Sequence, residues 1–555
     1  MSYFTAFLFV SLMQVNPTFA IANIRSVTLD SKTISRRTQQ ALVIPLTIQE
    51  GVGAKTLSAD GYPVSVVVPF AEGSLFDKES LTIQEGNPCQ AEVLERWLSD
   101  GSIRHALVHF QTRLNANEKQ SLNLVNTGAV KHVPSQPVTV TETSTYVQVD
   151  TGKVRFQVSK TSFNLFDQLW FDQNENGGYE TSEQMIVSSK LSGGRFVPRS
   201  GAGSTQQDST RTDFQVVVEE TGPIRAVIMI SAPTLFRSTT DHLHGFAVRI
   251  YAYTGQPFVK VDYQLQNSAA NTVRSWPLYF DEMTVDLKFQ LPNGIRQVRI
   301  GSTAKTVFNA TSAPARIQQT RLNSATVQHG STDFTETTSY GNSAKSAAFI
   351  HLNSGTSGVT VAMRNFWQTW PNGLSVDTDA KVSVEMFPSW SAQYADKAIS
   401  STGLYWLNDM QHVYKEFTLT FHKSVPTGSQ LVDLTSTLQF PPVVSMSPSW
   451  YRTTRATLDM GGLLPPTLTS PSNVDTFSPD LYWDALSIDE NQVLYKGNWV
   501  NFGDPEGAYR ARSCTTGGFP HEVEFFQATQ YSSHYYLAET WGIGELNVRP
   551  QSLPL

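Results

Sequence analysis

Two-residue alternation of apolar and polar side chains constrains this chain more than any other feature. Val259-Lys260-Val261-Asp262-Tyr263-Gln264-Leu265-Gln266 alternates without a slip, and Phe417-Thr418-Leu419-Thr420-Phe421-His422 repeats the pattern. Ala106, Val108 and Phe110 share one face of a third run, opposite His105, Leu107 and His109. Successive side chains of a strand point to opposite sides, so such runs demand sheets with one face buried. Turn signals separate the runs: Asn176-Gly177-Gly178, Gly255-Gln256-Pro257 and Pro371-Asn372-Gly373. Many short strands punctuated in this way predict a mainly β chain built as sandwich or barrel.

At 555 residues the chain has room for about three or four domains. The apolar run Phe4–Met13, followed by the small-residue exits Thr18-Phe19-Ala20 and Ala20-Ile21-Ala22, predicts a secretory signal over residues 1–22, although no Lys or Arg precedes it. A buried first strand is the competing reading. Residues 23–140 then form a small β-domain that ends near Val133-Pro134-Ser135-Gln136-Pro137, and residues 141–445 form a large antiparallel sheet domain. Pro441-Pro442 and Pro448 open the last region, 446–555. There His521 to Trp541 carries no Gly or Pro, lies between Pro520 and Gly542, and predicts a helix. One helix cannot bury its face alone, so this region is either small and docked on the sheets or cut short.

The signal places the mature chain outside the cytoplasm, periplasmic or extracellular. No later stretch reaches the roughly 20 apolar residues of a membrane span. The net charge of −7 argues against a nucleic-acid partner, because phosphate neutralisation needs surplus Lys and Arg. Cys89 and Cys514 are the only cysteines; two lone thiols are expected, with one disulfide open in an oxidising compartment. The 11 Trp, 19 Tyr and 31 Phe offer flat faces that can stack on sugar rings, but most aromatics are core.

Taken in order, several segments resemble one family. Val68-Pro69-Phe70 with Gly73, and Glu95-Arg96-Trp97 through Asp100-Gly101-Ser102-Ile103-Arg104, look like its first domain, a RIFT-type β-barrel. Glu219-Glu220-Thr221-Gly222-Pro223-Ile224-Arg225, Arg249-Ile250-Tyr251-Ala252-Tyr253, Arg364-Asn365-Phe366-Trp367-Gln368 and Asp409-Met410-Gln411-His412 look like its central β-sandwich. Asn498-Trp499-Val500-Asn501-Phe502-Gly503-Asp504 and Asn547-Val548-Arg549-Pro550 look like the opening of its α/α-toroid. The family is the exo-acting rhamnogalacturonan lyases, polysaccharide lyase family 26, with their YetA-like relatives. The resemblance implies barrel, sandwich and then an α-helical toroid-like region. A full toroid would need on the order of 200 further residues, at about 40 per repeat unit. It also implies a polysaccharide substrate cleaved by β-elimination.

Residues Asp172 to Glu183 satisfy the calcium-loop pattern D-x-[DN]-x-[DN]-G-x5-E at every specified position. Asp172, Asn174 and Asn176 offer oxygens across a tight turn, the Gly178 carbonyl could ligate, and Glu183 could close the shell of a structural Ca2+. The preceding residues read as a strand, so a solvated turn between strands is the alternative. His242 and His244 share a strand face but lack a third ligand in view, so a polar strand end outweighs a metal site.

The densest chemical cluster is late. A uronate lyase must stabilise the enolate that develops at the carboxylate, take the C5 proton and protonate the leaving oxygen. Asn501 and Arg510 or Arg512 suit the carboxylate, His521 the base and Tyr535 the acid. Trp367 and His412 in the sandwich are candidate substrate contacts. Two readings compete with the lyase. One is a non-catalytic carbohydrate-binding protein with a degenerate or truncated catalytic domain. The other is a glycoside hydrolase using a carboxylate pair such as Asp504 and Glu522.

Overall fold

The computed structural model describes residues 41–50, 61–187, 193–198, 206–236, 242–267, 278–291, 293–295, 297–301, 307–310, 314–321, 324–329, 332–337, 348–366, 369, 371–389, 405–407, 411–439 and 441–456. The chain is mainly β, and its strands pair antiparallel, as the alternation requires. The predicted signal (1–22) and the predicted helix His521–Trp541 lie outside the described residues.

Two sheets enclose the first core. A four-stranded sheet runs in the order Thr82–Ile83, Lys119–Val125, Val43–Gln49, Val443–Met446. A three-stranded sheet centres Ile103–Thr112 between Tyr62–Pro69 and Cys89–Arg96. Ile44, Leu46, Val66, Val68, Ala106, Val108 and Phe110 meet between them with no solvent exposure. These are every-second-residue positions, so alternation alone selects this core. The strand Val443–Met446 returns to it from far along the chain by pairing with Val43–Gln49. Trp450 follows on a short helix capped by Ser447, and its Nε1 donates to the Pro69 carbonyl at 3.0 Å.

The second core spans residues 138–421. It lies chiefly between two nine-stranded sheets. One runs Gln215–Thr221, Arg225–Ala232, Gly245–Tyr253, Phe258–Asn267, Gln411–His422, Gly358–Met363, Ala348–Asn353, Gln297–Gly301, Val307–Ala310. The other is built around Leu278–Lys288 and Lys381–Phe387. A five-stranded sheet from Thr139 to Ile186 adds to the same core. Val259, Val261, Tyr263 and Leu265 point inward; Lys260, Asp262, Gln264 and Gln266 point out.

The Phe417–His422 run departs from the expected one-sided burial. Thr418 and Thr420 are buried too. The helix Gly428–Gln439 covers that end of the sheet, setting Leu431, Leu434 and Leu438 against Phe349 and Ala362. Their i, i+3, i+7 spacing gives the helix one apolar face. Each leucine so buried contributes about 1.5–3 kcal/mol.

Three buried glutamines join the two cores. Gln90 accepts from the backbone N–H of Ile224 and Arg225 and donates to the Arg225 carbonyl. Gln111 donates to the Thr254 carbonyl, and Gln256 donates to the Gly61 carbonyl and to Gln111 Oε1. An amide taken from water must recover its hydrogen bonds, so these contacts fix the relative placement of the two units.

Candidate functional site

The outward positions of the first nine-stranded sheet carry a ladder of alternating charge. Arg249 pairs across the strands with Asp262, and Asp262 with Glu416. Arg249 makes a bidentate contact to Glu219, with Nε–Oε2 at 2.8 Å and Nη2–Oε1 at 2.9 Å. Lys260 Nζ lies 3.8 Å from Asp262 Oδ1 and 3.3 Å from Glu416 Oε2. Arg364, on the turn after Gly358–Met363, places Nη1 3.3 Å from the same Glu416 oxygen. The order is therefore Glu219, Arg249, Asp262, Lys260, Glu416, Arg364, with the sign changing at each step. Side-chain exposure falls from 40% at Arg249 to 10% at Arg364, so the strip opens to solvent at its Glu219 end.

Aromatic rings flank the ladder. Lys260 Nζ sits 4.4 Å from the centre of the Tyr251 ring, and the Arg225 guanidinium 5.6 Å from it. Tyr62, from the first unit, stacks at 6.1 Å on Phe258, which also packs on Tyr253. Arg225 is held by Glu220, and His109 Nε2 lies 3.7 Å from Glu220. Of these rings Phe258 and Tyr253 are buried, so they pack the edge of the ladder.

The electrostatics show what this face can do. Burial opposes charge on Lys260, but Asp262 and Glu416 outweigh it and hold the ammonium's pKa well above the ordinary lysine value. Burial likewise opposes charge on Glu416, and Lys260 with Arg364 prevail, so its carboxyl titrates below the usual range. Burial raises the Tyr62 and Tyr251 hydroxyls. These shifts all move away from neutrality. Lys260 and Glu416 therefore keep their charges through the neutral range. Lys415 moves the other way, lowered by burial to about 7, but it is buried, points into the sandwich, donates to the Thr369 carbonyl and lies 5.5 Å from the Phe387 ring centre.

Among the sequence-predicted contacts, His412 lies on the outward face of this sheet in register with Gln266. Trp367 lies outside the described residues, as do Asn501, Arg510, Arg512, His521 and Tyr535, so the predicted acid–base cluster has no described geometry. Cys89 is a buried free thiol, and Cys514 is outside the described residues. His244 is enclosed in the core, with Nε2 3.1 Å from Asp208 Oδ1 and its ring stacked on Phe196.

The loop 172–183 joins the paired strands Gln168–Phe171 and Gln184–Ile186. Asp172 is buried and accepts from the N–H of Asn176 and Gly177. Asn174 Oδ1 accepts from Asn176 N–H, and Asn176 Oδ1 from Gly178 N–H. Glu183 accepts from three backbone N–H groups, those of Gln173, Asn174 and Glu180. Burial and then the neighbouring Glu180 carboxyl push Glu183 up, while Glu180 is held down. Among the described residues no three His, Cys, Asp or Glu side chains are grouped to hold a metal ion. The loop's donor set is all oxygen, two carboxylates and two side-chain amides, which is the chemistry of a hard cation such as Ca2+. Those oxygens are engaged by backbone amides in the geometry described here.

Residues 138–329 match the family model of the PcRGLX-like protein central beta sandwich domain. The matched span holds the 172–183 loop and five ladder-face residues: Glu219, Arg249, Tyr251, Lys260 and Asp262. No curated protein matches the chain. Among solved structures, it aligns with a protein in the glycosyl hydrolase family 38 from Enterococcus faecalis at 11% identity and TM-score 0.43, over 73% of this chain and 47% of that one. It aligns with a putative aldose 1-epimerase from Klebsiella pneumoniae at 10% identity and TM-score 0.33, over 67% of this chain and 94% of that one. The chain thus spans about half the length of the first of these proteins.

The ladder was not identified as a site from the sequence. Its members are scattered there: Lys260 and Asp262 stand among glutamines on the polar face of the Val259–Gln266 alternation, and Glu219, Arg249 and Arg364 lie in separate segments that resemble the family's central β-sandwich.

Proposed function

We propose that this chain is an exported, carbohydrate-active protein that cleaves a uronate-containing, rhamnogalacturonan-like glycan by β-elimination. The observation that carries the reading is the match of residues 138–329 to the PcRGLX-like protein central beta sandwich domain, a span that includes Glu219, Arg249, Lys260 and Asp262 of the charge ladder. In this reading the ladder and its tyrosines bind the glycan. The 501–535 cluster performs the chemistry: Asn501 with Arg510 or Arg512 neutralises the uronate carboxylate, His521 takes the C5 proton and Tyr535 protonates the departing oxygen. A Ca2+ held by Asp172, Asn174, Asn176, the Gly178 carbonyl and Glu183 would brace the loop that joins two strands of the five-stranded sheet. No helix among the described residues is long and apolar enough to cross a membrane.

A second reading, a non-catalytic carbohydrate-binding protein, is favoured by ladder charges that are taken up by one another: Lys260 lies between Asp262 and Glu416, and Arg249 on Glu219. Product analysis separates the two. Elimination leaves a fragment lighter by one water than the hydrolysis product, and mass spectrometry of digests of rhamnogalacturonan and other uronate polysaccharides detects it. Binding without any product would replace the lyase with the binding protein. A product of hydrolytic mass would replace it with a hydrolase.

A further inference from the structure

The seam between the two units encloses a histidine whose ring is only half satisfied. His109 is 1% exposed and stands on Ile103–Thr112, in register with Ser65 on one side and Gln90 on the other. Its Nδ1 lies 2.7 Å from the Ser65 hydroxyl. Its Nε2 is buried without a hydrogen-bond partner and faces the second unit, 3.7 Å from Glu220 Oε2. That oxygen already accepts from Arg225 Nε at 2.8 Å, and Arg225 Nη2 holds the other. Gln90, beside the ring, accepts from the backbone N–H of Ile224 and Arg225 and so ties the same strand end to the first unit.

The groups around the ring hold no spare negative charge. On Tyr62–Pro69 the neighbour is the neutral Ser65 hydroxyl. On Cys89–Arg96, Glu92 lies beyond Gln90 and is taken up by Lys78 Nζ at 2.8 Å. Along His109's own strand, His105 faces Glu95 at 2.9 Å, and Glu95 also holds Arg104. From the second unit come Glu220 on Gln215–Thr221 and Arg225 on Arg225–Ala232, with the Tyr251 ring 5.6 Å behind the guanidinium. Glu220 faces the ring, but Arg225 already neutralises it. A proton on His109 would leave one net positive charge shut away from water. Burial, and then Arg225, hold the imidazole well below the ordinary histidine value of 6.5.

A ring open to water takes its proton near 6.5, whereas the closed seam refuses it. Linkage couples the two events, so acid favours the state that exposes His109. The closed state keeps its full stability above about 6.5 and loses it as pH falls toward the much lower closed value. With one proton taken up per opening, the open-to-closed ratio rises about tenfold for each pH unit below about 6.5.

We infer that His109 is an acid latch: proton uptake by its imidazole parts the first unit from the central sandwich. Opening breaks the contacts of Gln90, Gln111 and Gln256 across the seam and draws Tyr62 off Phe258, beside the charge ladder. His351 and His422 are also held down, to about 2 and about 4, but they lie within the first nine-stranded sheet, so the readout must be local to the seam. This inference does not rest on the glycan reading.

The test is hydrogen exchange of the full chain followed by mass spectrometry from about pH 7.5 down to about pH 5, above the ordinary carboxylate range, with rates corrected for the intrinsic pH dependence of exchange. The N–H groups of Ile224 and Arg225, which donate to Gln90, report on the seam, and the strand Phe258–Asn267 serves as internal control. Protection at the seam should fall about tenfold per pH unit below about 6.5 while the control stays unchanged. His109→Gln, which takes up no proton there, should remove that slope. In Arg225→Gln a protonated His109 has Glu220 to itself, so protection at Ile224 should rise toward acid instead. Protection at the seam that does not change with pH, a fall shared by the control strand, or a slope that survives in either folded variant would overturn the inference.

Discussion

Replacing Lys260 with Met tests the ladder most sharply. The substitution preserves volume but removes the ammonium that lies between Asp262 and Glu416. Removing one partner of a buried ion pair typically costs about 3–5 kcal/mol. Two features of this site reduce that figure. Arg364 remains 3.3 Å from Glu416, and the ladder keeps some contact with water. We expect a loss of about 2 kcal/mol near neutral pH, or roughly 5 °C in Tm for a unit of this size.

The pH dependence should change sign. In the unaltered protein the Glu416 carboxyl is held below its unfolded value, so its contribution is present above that value and is lost as pH falls through the lower, folded one. In Lys260→Met, burial is opposed by Arg364 alone and the carboxyl rises. Its effect then reverses: stability falls as pH climbs past about 4–5. Thermal unfolding followed by intrinsic fluorescence across the acid-to-neutral range should show the two proteins converging at low pH and diverging toward neutrality. The double variant Lys260→Met/Glu416→Gln should recover most of the loss. A gap that stays constant with pH, or no gap near pH 7, would refute the electrostatic reasoning.

Other predictions follow from the same geometry. A Cβ on Gly194 would run into the Asp208 carboxylate and the Tyr263 hydroxyl, so Gly194→Ala should destabilise by about 2 kcal/mol in denaturant titrations. If the 172–183 loop takes up Ca2+, adding it should raise the Tm of the full chain, and Asp172→Asn or Glu183→Gln should abolish the rise; no rise in the unaltered protein would leave the loop as a self-capped turn. Burial pushes the Cys89 thiol up to about 11, so in a Cys514→Ser background it should react with a disulfide reagent only after unfolding.

How much could be read from the sequence depended on how local the governing physics was. The strands were legible because period two is a property of consecutive residues, and the Val259–Gln266 run buries its apolar face as expected. The 172–183 turn was legible for the same reason, and Gly177 adopts the positive φ expected of it, although Glu175 rather than Asn176 is the other residue in that conformation. The two-sided burial of Phe417–His422 was not, because it depends on which helix lies over the sheet. The ladder was hidden for a similar reason. Lys260 and Glu416 are partners only because Phe258–Asn267 pairs with Gln411–His422, a register set far along the chain. Glu219 and Arg249 were visible in the sequence as members of motifs, but their salt bridge spans two strands of the sheet.

The central claim is that the chain eliminates rather than hydrolyses or merely binds. Its most direct test is the ultraviolet absorbance of the conjugated unsaturated uronate, followed while folded protein acts on rhamnogalacturonan and a panel of other uronate polysaccharides. Absorbance should rise on at least one of them, and the rise should be abolished in His521→Ala and weakened in Lys260→Met. No rise on any substrate, from folded protein shown to bind one of them, would contradict it.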